Sequence, residues 1–187
     1  MTPTRPGPRE RLLDAARDLT YTHGVHVGVD AILKQAGVAR RSLYQHFGGK
    51  DGLVAEALRS HPGEARYREV MGRAGQDSRQ RILAVFDELE AITQRPAFHG
   101  CRYTSADLAL TDAAHPAHVE VRAYKDALHV LFAEELSRDG HPDPDFGADQ
   151  LLVLVDGALA HAVTRPASHP ALAARNMAEM MMDQARP

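Results

Sequence analysis

A chain of 187 residues with 44% hydrophobic side chains is long enough for one ordinary domain, or for a small head on a larger body, and too apolar to be disordered throughout. Only 5% of its residues are aromatic, tryptophan is absent, and the single cysteine, Cys101, excludes an internal disulfide and fits a reducing, cytoplasmic setting. The net charge of −3 excludes a uniformly basic coat for nucleic acid, yet residues 1–60 hold 9 Lys/Arg against 6 Asp/Glu and the remainder 13 against 19, a basic head on an acidic body.

Met1 to Pro8 is Pro-rich without an apolar run, so it reads as an arm rather than a signal peptide. Arg9 to His23 reads as a helix, with Leu12, Leu13, Ala16, Leu19 and Thr20 at helical spacing and Gly24 as its stop. Val29–Ala36 and Arg40–Phe47 read as two short helices joined by a tight turn at Gly37. Gly48-Gly49 breaks the chain, and Lys50-Asp51 opens a fourth helix whose length Pro62-Gly63 leaves open. Asp77-Ser78 predicts a cap for a helix from about Ser78 to Gln94, striped by Ile82, Val85, Phe86, Leu89 and Ile92. A short helix follows over Arg102–Leu110, then a long one from about His115 to Asp139 with Pro116 in its first turn. Gly147–Arg165 reads as a helix apolar on nearly every face, and Ala171–Ala185 as the last. The longest apolar region, Leu151 to Val163, is interrupted by Asp156, Gly157 and His161, so no membrane partner is expected. The composition, rich in Ala and Leu and poor in β-branched runs, agrees with an all-α fold.

Residues 29–53 carry the strongest signal. The turn at Gly37 calls for a positive φ, and Ile32, Val38 and Leu43 are placed to pin the two short helices together. The outer face of the second is then left with Arg40, Arg41, Ser42, Gln45 and His46, donors suited to phosphates and to base edges in a major groove. Lys50 stands where an ammonium and free helix N–H groups both favour phosphate.

At these residues the chain resembles the tetracycline-repressor (TetR) family of bacterial regulators. Ile32, Ala36-Gly37-Val38, Leu43-Tyr44, His46-Phe47, Lys50 and Leu53 stand at the family's spacing, and Gly100-Cys101 and Asp156-Gly157 resemble actinobacterial-type effector domains. The resemblance implies a homodimer whose three N-terminal helices bind a double-stranded DNA operator, with the third as recognition helix. It also implies a small-molecule effector pocket in the body and a four-helix bundle made by the last two helices of each subunit. The domains expected are an arm (1–8), a helix-turn-helix domain (9–49) and an effector-binding and dimerisation domain (50–187). Carried over by position, Tyr44 and His46 contact phosphate or sugar, Lys50 contacts phosphate, and Arg40, Arg41, Ser42 and Gln45 face the groove. Gly28 and Ala39 depart from the Thr and Ser caps usual in the family, leaving only backbone N–H donors at position 28. Arg41 replaces a residue that is usually small.

For the body, Phe86, Leu89, Arg102, Tyr103, Asp107, Leu108, Tyr124, Leu128, Asp156 and His161 are the candidate pocket residues, each also readable as ordinary packing or pairing. Asp156 and His161 lie in an apolar helix, where each calls for a partner or a wet cavity. Leu152, Val155, Leu159, Val163, Met177 and Met181 are the candidate dimer residues. Two readings stand for Arg5 and Arg9, a DNA-seeking arm or a solvated tail. Two stand also for Cys101, a redox sensor or a buried thiol. His99, His115 and His118 raise metal or pH sensing beside a plain surface role, though His115 and His118 straddle Pro116 and need not converge. No Walker loop, H-E-x-x-H or G-x-S-x-G is present, so neither catalysis, nor a cofactor, nor a resident metal is expected.

Overall fold

A computed structural model describes residues 6–184, which form ten α-helices and no strand. They are α1 (Pro8–His23), α2 (Val29–Ala36), α3 (Arg40–Phe47), α4 (Lys50–Arg59), α5 (Gly63–Arg73), α6 (Ser78–Thr93), α7 (Arg102–Ala109), α8 (Ala117–Arg138), α9 (Pro144–Thr164) and α10 (Pro170–Gln184). The all-α expectation holds. Ala185, the expected end of the last helix, lies outside the described residues, as does Arg5.

The chain divides into two compact units. The first comprises the residues up to His61 together with Arg102–Arg122, and the second comprises Pro62–Cys101 and the residues from Ala123 onward. Helices α4 and α7 and the first turn of α8 fall in the first unit with α1, α2 and α3.

The first unit is built on a core of Leu12, Leu13, Ala16, Ile32, Leu33, Leu43, Leu53 and Ala57, with Val38 and Phe47 packed against it. Gly37 ends α2 in the left-handed region (φ 61°, ψ 43°). Its N–H donates to Lys34 O at 3.2 Å, and Val38 N–H donates to Leu33 O at 3.3 Å. This paired closure satisfies two carbonyls that the helix end would otherwise orphan. A second close approach sets α4 against α3: a Cβ at Gly52 would stand 2.1 Å from the Phe47 carbonyl oxygen, so only glycine fits there.

The chain breaks after α4 because Pro62 has no N–H to continue the ladder, and α5 starts afresh at Gly63. Asp77 caps α6 by accepting from Gln80 N–H at 2.7 Å, as its sequence predicts. Helix α9 begins three residues earlier than expected, because Asp143 accepts from Phe146 N–H at 3.1 Å and Pro144 occupies the first turn. The second unit's core joins Phe86 and Leu89 of α6, Leu128, Phe132 and Leu136 of α8, Leu151, Val155 and Leu159 of α9, and Ala174 and Ala178 of α10. By length and composition alone α9 is apolar enough to cross a membrane, which the sequence reading did not expect. One face of it, including Leu151, Val155 and Leu159, is buried in the chain's own core.

Candidate nucleic-acid interface

Leu43 is the only fully buried residue of α3; with Phe47 packed beside it, it seats the helix on the head and leaves the opposite face outward. Arg40, Arg41, Tyr44, Gln45 and His46 are exposed, and Ser42 is half-buried. Gly28 and Ala39 are the N-cap residues of α2 and α3, and neither supplies a side-chain cap. The first N–H groups of both helices thus keep free donors. Lys50 opens α4, half-buried and without an ion pair among the described residues.

Arg40 differs from its neighbour. Its Nη2 donates to Asp30 Oδ1 of α2 at 2.5 Å. That carboxylate first, and a hydrogen bond with Tyr44 second, hold the guanidinium still more firmly in its charged form. Arg9, one of the two residues read as a possible arm, lies inside α1. It sits over the Phe47 ring at 5.4 Å and donates to Glu56 at 2.6 Å, so it packs the head instead of reaching outward.

Part of the head comes from far along the sequence. Arg102 lies over the Tyr21 ring at 4.5 Å. The Tyr103 hydroxyl donates to the carbonyls of Leu58 and His61 at 3.2 and 3.1 Å. His26 Nε2 lies 3.0 Å from the Ala109 carbonyl. His115 is buried; its Nδ1 accepts from Ala117 N–H at 3.1 Å, and its Nε2 lies 3.4 Å from Asp51 beside Lys50. His118 pairs with Asp107 at 2.6 Å. The His115 and His118 rings meet edge to face at 6.4 Å. Even so, no group of three His, Cys, Asp or Glu among the described residues is placed to hold a metal ion.

The ten candidate pocket residues are divided between the units. Arg102, Tyr103, Asp107 and Leu108 belong to the first, where three of them make the contacts just given. Leu108 is 81% exposed, because α7 buries only Tyr103 and Ala106. In the second unit Phe86, Leu89 and Leu128 are fully buried, and Tyr124 is half-buried beside the same core. Asp156 finds the partner its setting demanded, the Lys125 ammonium of α8. His161 faces outward and needs none. Two surface grooves of the second unit, about 460 and 370 Å³, include none of these residues.

Sequence reasoning missed Tyr67. Its phenol is buried, hydrogen-bonded to Tyr124 and close to Cys101; burial, and then the thiol, push its ionisation well above the ordinary tyrosine range. Cys101 itself is half-buried against the core. Among the candidate dimer residues, Val155 and Leu159 are buried in the chain's own core. Leu152 and Met181 are half-buried against that core, while Val163 and Met177 are exposed. The outward apolar positions on these helices also include Val153, 70% exposed, and Met180, 60% exposed.

The family model described as bacterial regulatory proteins, tetR family, matches residues 12–57. The chain is 30% identical over 159 residues to the HTH-type transcriptional activator FasR of Mycolicibacterium smegmatis, across 80% of this chain and 70% of that protein. It is 33% identical over 138 residues to the HTH-type transcriptional repressor KstR2 of Rhodococcus jostii, across 72% of this chain and 56% of that one. The crystal structure of a tetR-type regulator from Streptomyces avermitilis superposes with a TM-score of 0.85 at 39% identity, across 96% of this chain and 98% of its own. The chain therefore belongs to the tetR family and is a DNA-binding, helix-turn-helix transcriptional regulator.

Proposed function

We propose that this regulator is a ligand-responsive repressor that acts in the cytoplasm as a homodimer on a palindromic operator. The observation that carries the DNA contact is the outward face of α3, a helix seated by Leu43 and Phe47, lined with exposed Arg41, Tyr44, Gln45 and His46. Lys50 and the uncapped N-terminus of α2 at Gly28 supply sequence-independent phosphate contacts beside it. Two such heads fit half-sites about 34–36 Å apart, one helical turn of DNA.

The effector reading draws on the second unit. There Tyr67, Tyr124, Cys101 and the Lys125–Asp156 pair introduce polar groups beside an otherwise apolar core. A ligand with an apolar body and a few hydrogen-bonding groups suits such surroundings. Helix α8 begins in the head and ends in the body, which gives a ligand in the body a continuous element through which to bias the head. It does so by binding one head spacing more tightly than the other. FasR is an activator and KstR2 a repressor, so the direction of control is tested separately.

A gel shift with the DNA flanking its own gene, run across a salt series, tests the reading. Wild-type protein is expected to bind with steep salt dependence, and the double variant Arg40→Ala, Arg41→Ala to lose operator binding while keeping its helical spectrum. Lys50→Ala is expected to weaken binding to all sequences and lower the salt slope by about one unit. Unchanged affinity in the double variant sinks the recognition assignment. Higher transcription of the flanking gene when the regulator is deleted supports repression, and lower transcription refutes it.

A further inference from the structure

The two arginines that open α3 are not equivalent, although they are neighbours with the same side chain. Arg40 reaches back across the turn to Asp30, 2.5 Å away. It is also hydrogen-bonded to Tyr44, one turn further along its own helix. Its planar fork is thereby aimed at α2, and its charge is matched by a carboxylate. Arg41 is exposed and makes no hydrogen bond or ion pair among the described residues; the same holds for Gln45. Residues four apart share a helix face. Helix α3 therefore carries two ridges: Arg40 with Tyr44, tied to α2, and Arg41 with Gln45, untied.

A guanidinium already bonded to a carboxylate must break that pair before it reads a base edge, whereas an untied one meets the groove with all its donors available. The arginine fork matches O6 and N7 of guanine, and the glutamine amide matches N6 and N7 of adenine. Side chains one turn apart stand roughly 6 Å from one another, about two base-pair steps at most. We propose that Arg41 and Gln45 are the base-reading pair of this protein, Arg41 taking a guanine and Gln45 an adenine close by in each half-site. Arg40 is a positioning residue that sets α3 against α2 through Asp30. The inference rests on the DNA-binding reading and adds the class of base that each side chain takes.

The test is selection of binding sites from a randomised duplex DNA pool by the full-length protein, followed by affinity measurements on single-base variants of the selected site. Wild-type protein is expected to select one guanine and one adenine in fixed register in each half-site. Arg41→Ala loses the guanine preference by about 5- to 150-fold, the range of a bidentate arginine–guanine pair, whereas Arg41→Lys, whose ammonium still reaches guanine O6 and N7, keeps part of it together with its affinity for unrelated DNA. Gln45→Ala loses the adenine preference alone. Arg40→Ala weakens binding to every sequence alike and leaves both preferences in place. The exchange Asp30→Arg with Arg40→Asp, which restores the ion pair in reverse, recovers that loss. A guanine preference that survives Arg41→Ala, or that vanishes in Arg40→Ala, overturns the proposal, as does a wild-type site without the guanine. Wild-type protein that retains no DNA from the pool at any salt concentration overturns the DNA-binding reading and this one with it. Helical spectra identical across the variants exclude unfolding as the cause.

Discussion

Glu135 is the sole buried carboxylate among the described residues, 4% exposed near the end of α8. Ser78 Oγ donates to it at 2.8 Å, and Arg81 and Arg138 donate at 3.1 and 2.5 Å. Burying a charge is tolerated only with partners of this kind, so the cluster joins the start of α6 to the end of α8. Glu135→Ala is expected to lower the unfolding free energy by about 2–3 kcal/mol in urea titrations. The figure lies below that for a fully buried pair because both arginines, 22% and 51% exposed at the side chain, can turn to water. Loss of less than about 0.5 kcal/mol, the scale of a surface change, would show the cluster to be inert. At this scale the sequence is partly readable. That Asp156 needs a partner follows from its apolar helix, but Lys125 lies 31 positions away and no periodicity points to it. Asp30 and Arg40 likewise stand ten residues apart across a turn, a spacing that belongs to no regular element.

Elements fared better than pairs, and for a physical reason. The two short helices around Gly37 are specified by local terms, a left-handed turn and three apolar anchors within twelve residues, so they can be read from one stretch of chain. The start of α9 was misplaced because Asp143-Pro144 looks like the tail of the preceding break, and only the accepted Phe146 N–H shows it to be a cap. Gly52 escaped notice because a glycine inside a helix carries no sign of what approaches it. Its neighbour is a backbone carbonyl, which cannot swing aside as a side chain would. Gly52→Ala is expected to cost about 1–3 kcal/mol by forcing α4 away from α3, and to weaken operator binding with it. Gly72→Ala, in α5 with nothing within 4 Å, should instead stabilise by about 0.5–1 kcal/mol. Chemical denaturation of the two variants side by side distinguishes a packing effect from a general effect of the methyl group.

For the whole molecule, the outward apolar positions of α9 and α10 are the feature that a lone chain leaves unexplained. Val153 and Met180 are exposed while Val155 and Leu159, close by on α9, are buried. Val153→Asp and Met180→Asp are expected to shift sedimentation towards the monomer and reduce operator affinity, with helical content unchanged. A dimer that persists in both variants removes this face as the subunit contact. An apolar helix such as α9 gives no phase by which the sequence could tell core from outward face, which is why Val155 and Val153 read alike there. The boundary between the units was less readable still, since nothing in the composition of Arg102–Arg122 marks it as part of a head that ends, in sequence, forty residues earlier.

That displaced segment bears on how such regulators can be recombined. Tyr103 closes the end of α4 through the carbonyls of Leu58 and His61, Arg102 covers Tyr21, and His115 stands by Asp51. The DNA-reading unit is therefore not the first sixty residues but a discontinuous object assembled from two stretches of chain. A chimaera made by grafting another regulator's N-terminal residues onto this body would inherit the seats for Arg102, Tyr103 and His115 from one parent and their occupants from the other. An operator preference could thus be exchanged by changing the face of α3, whereas transplanting the whole head would require the crossing segment to travel with it.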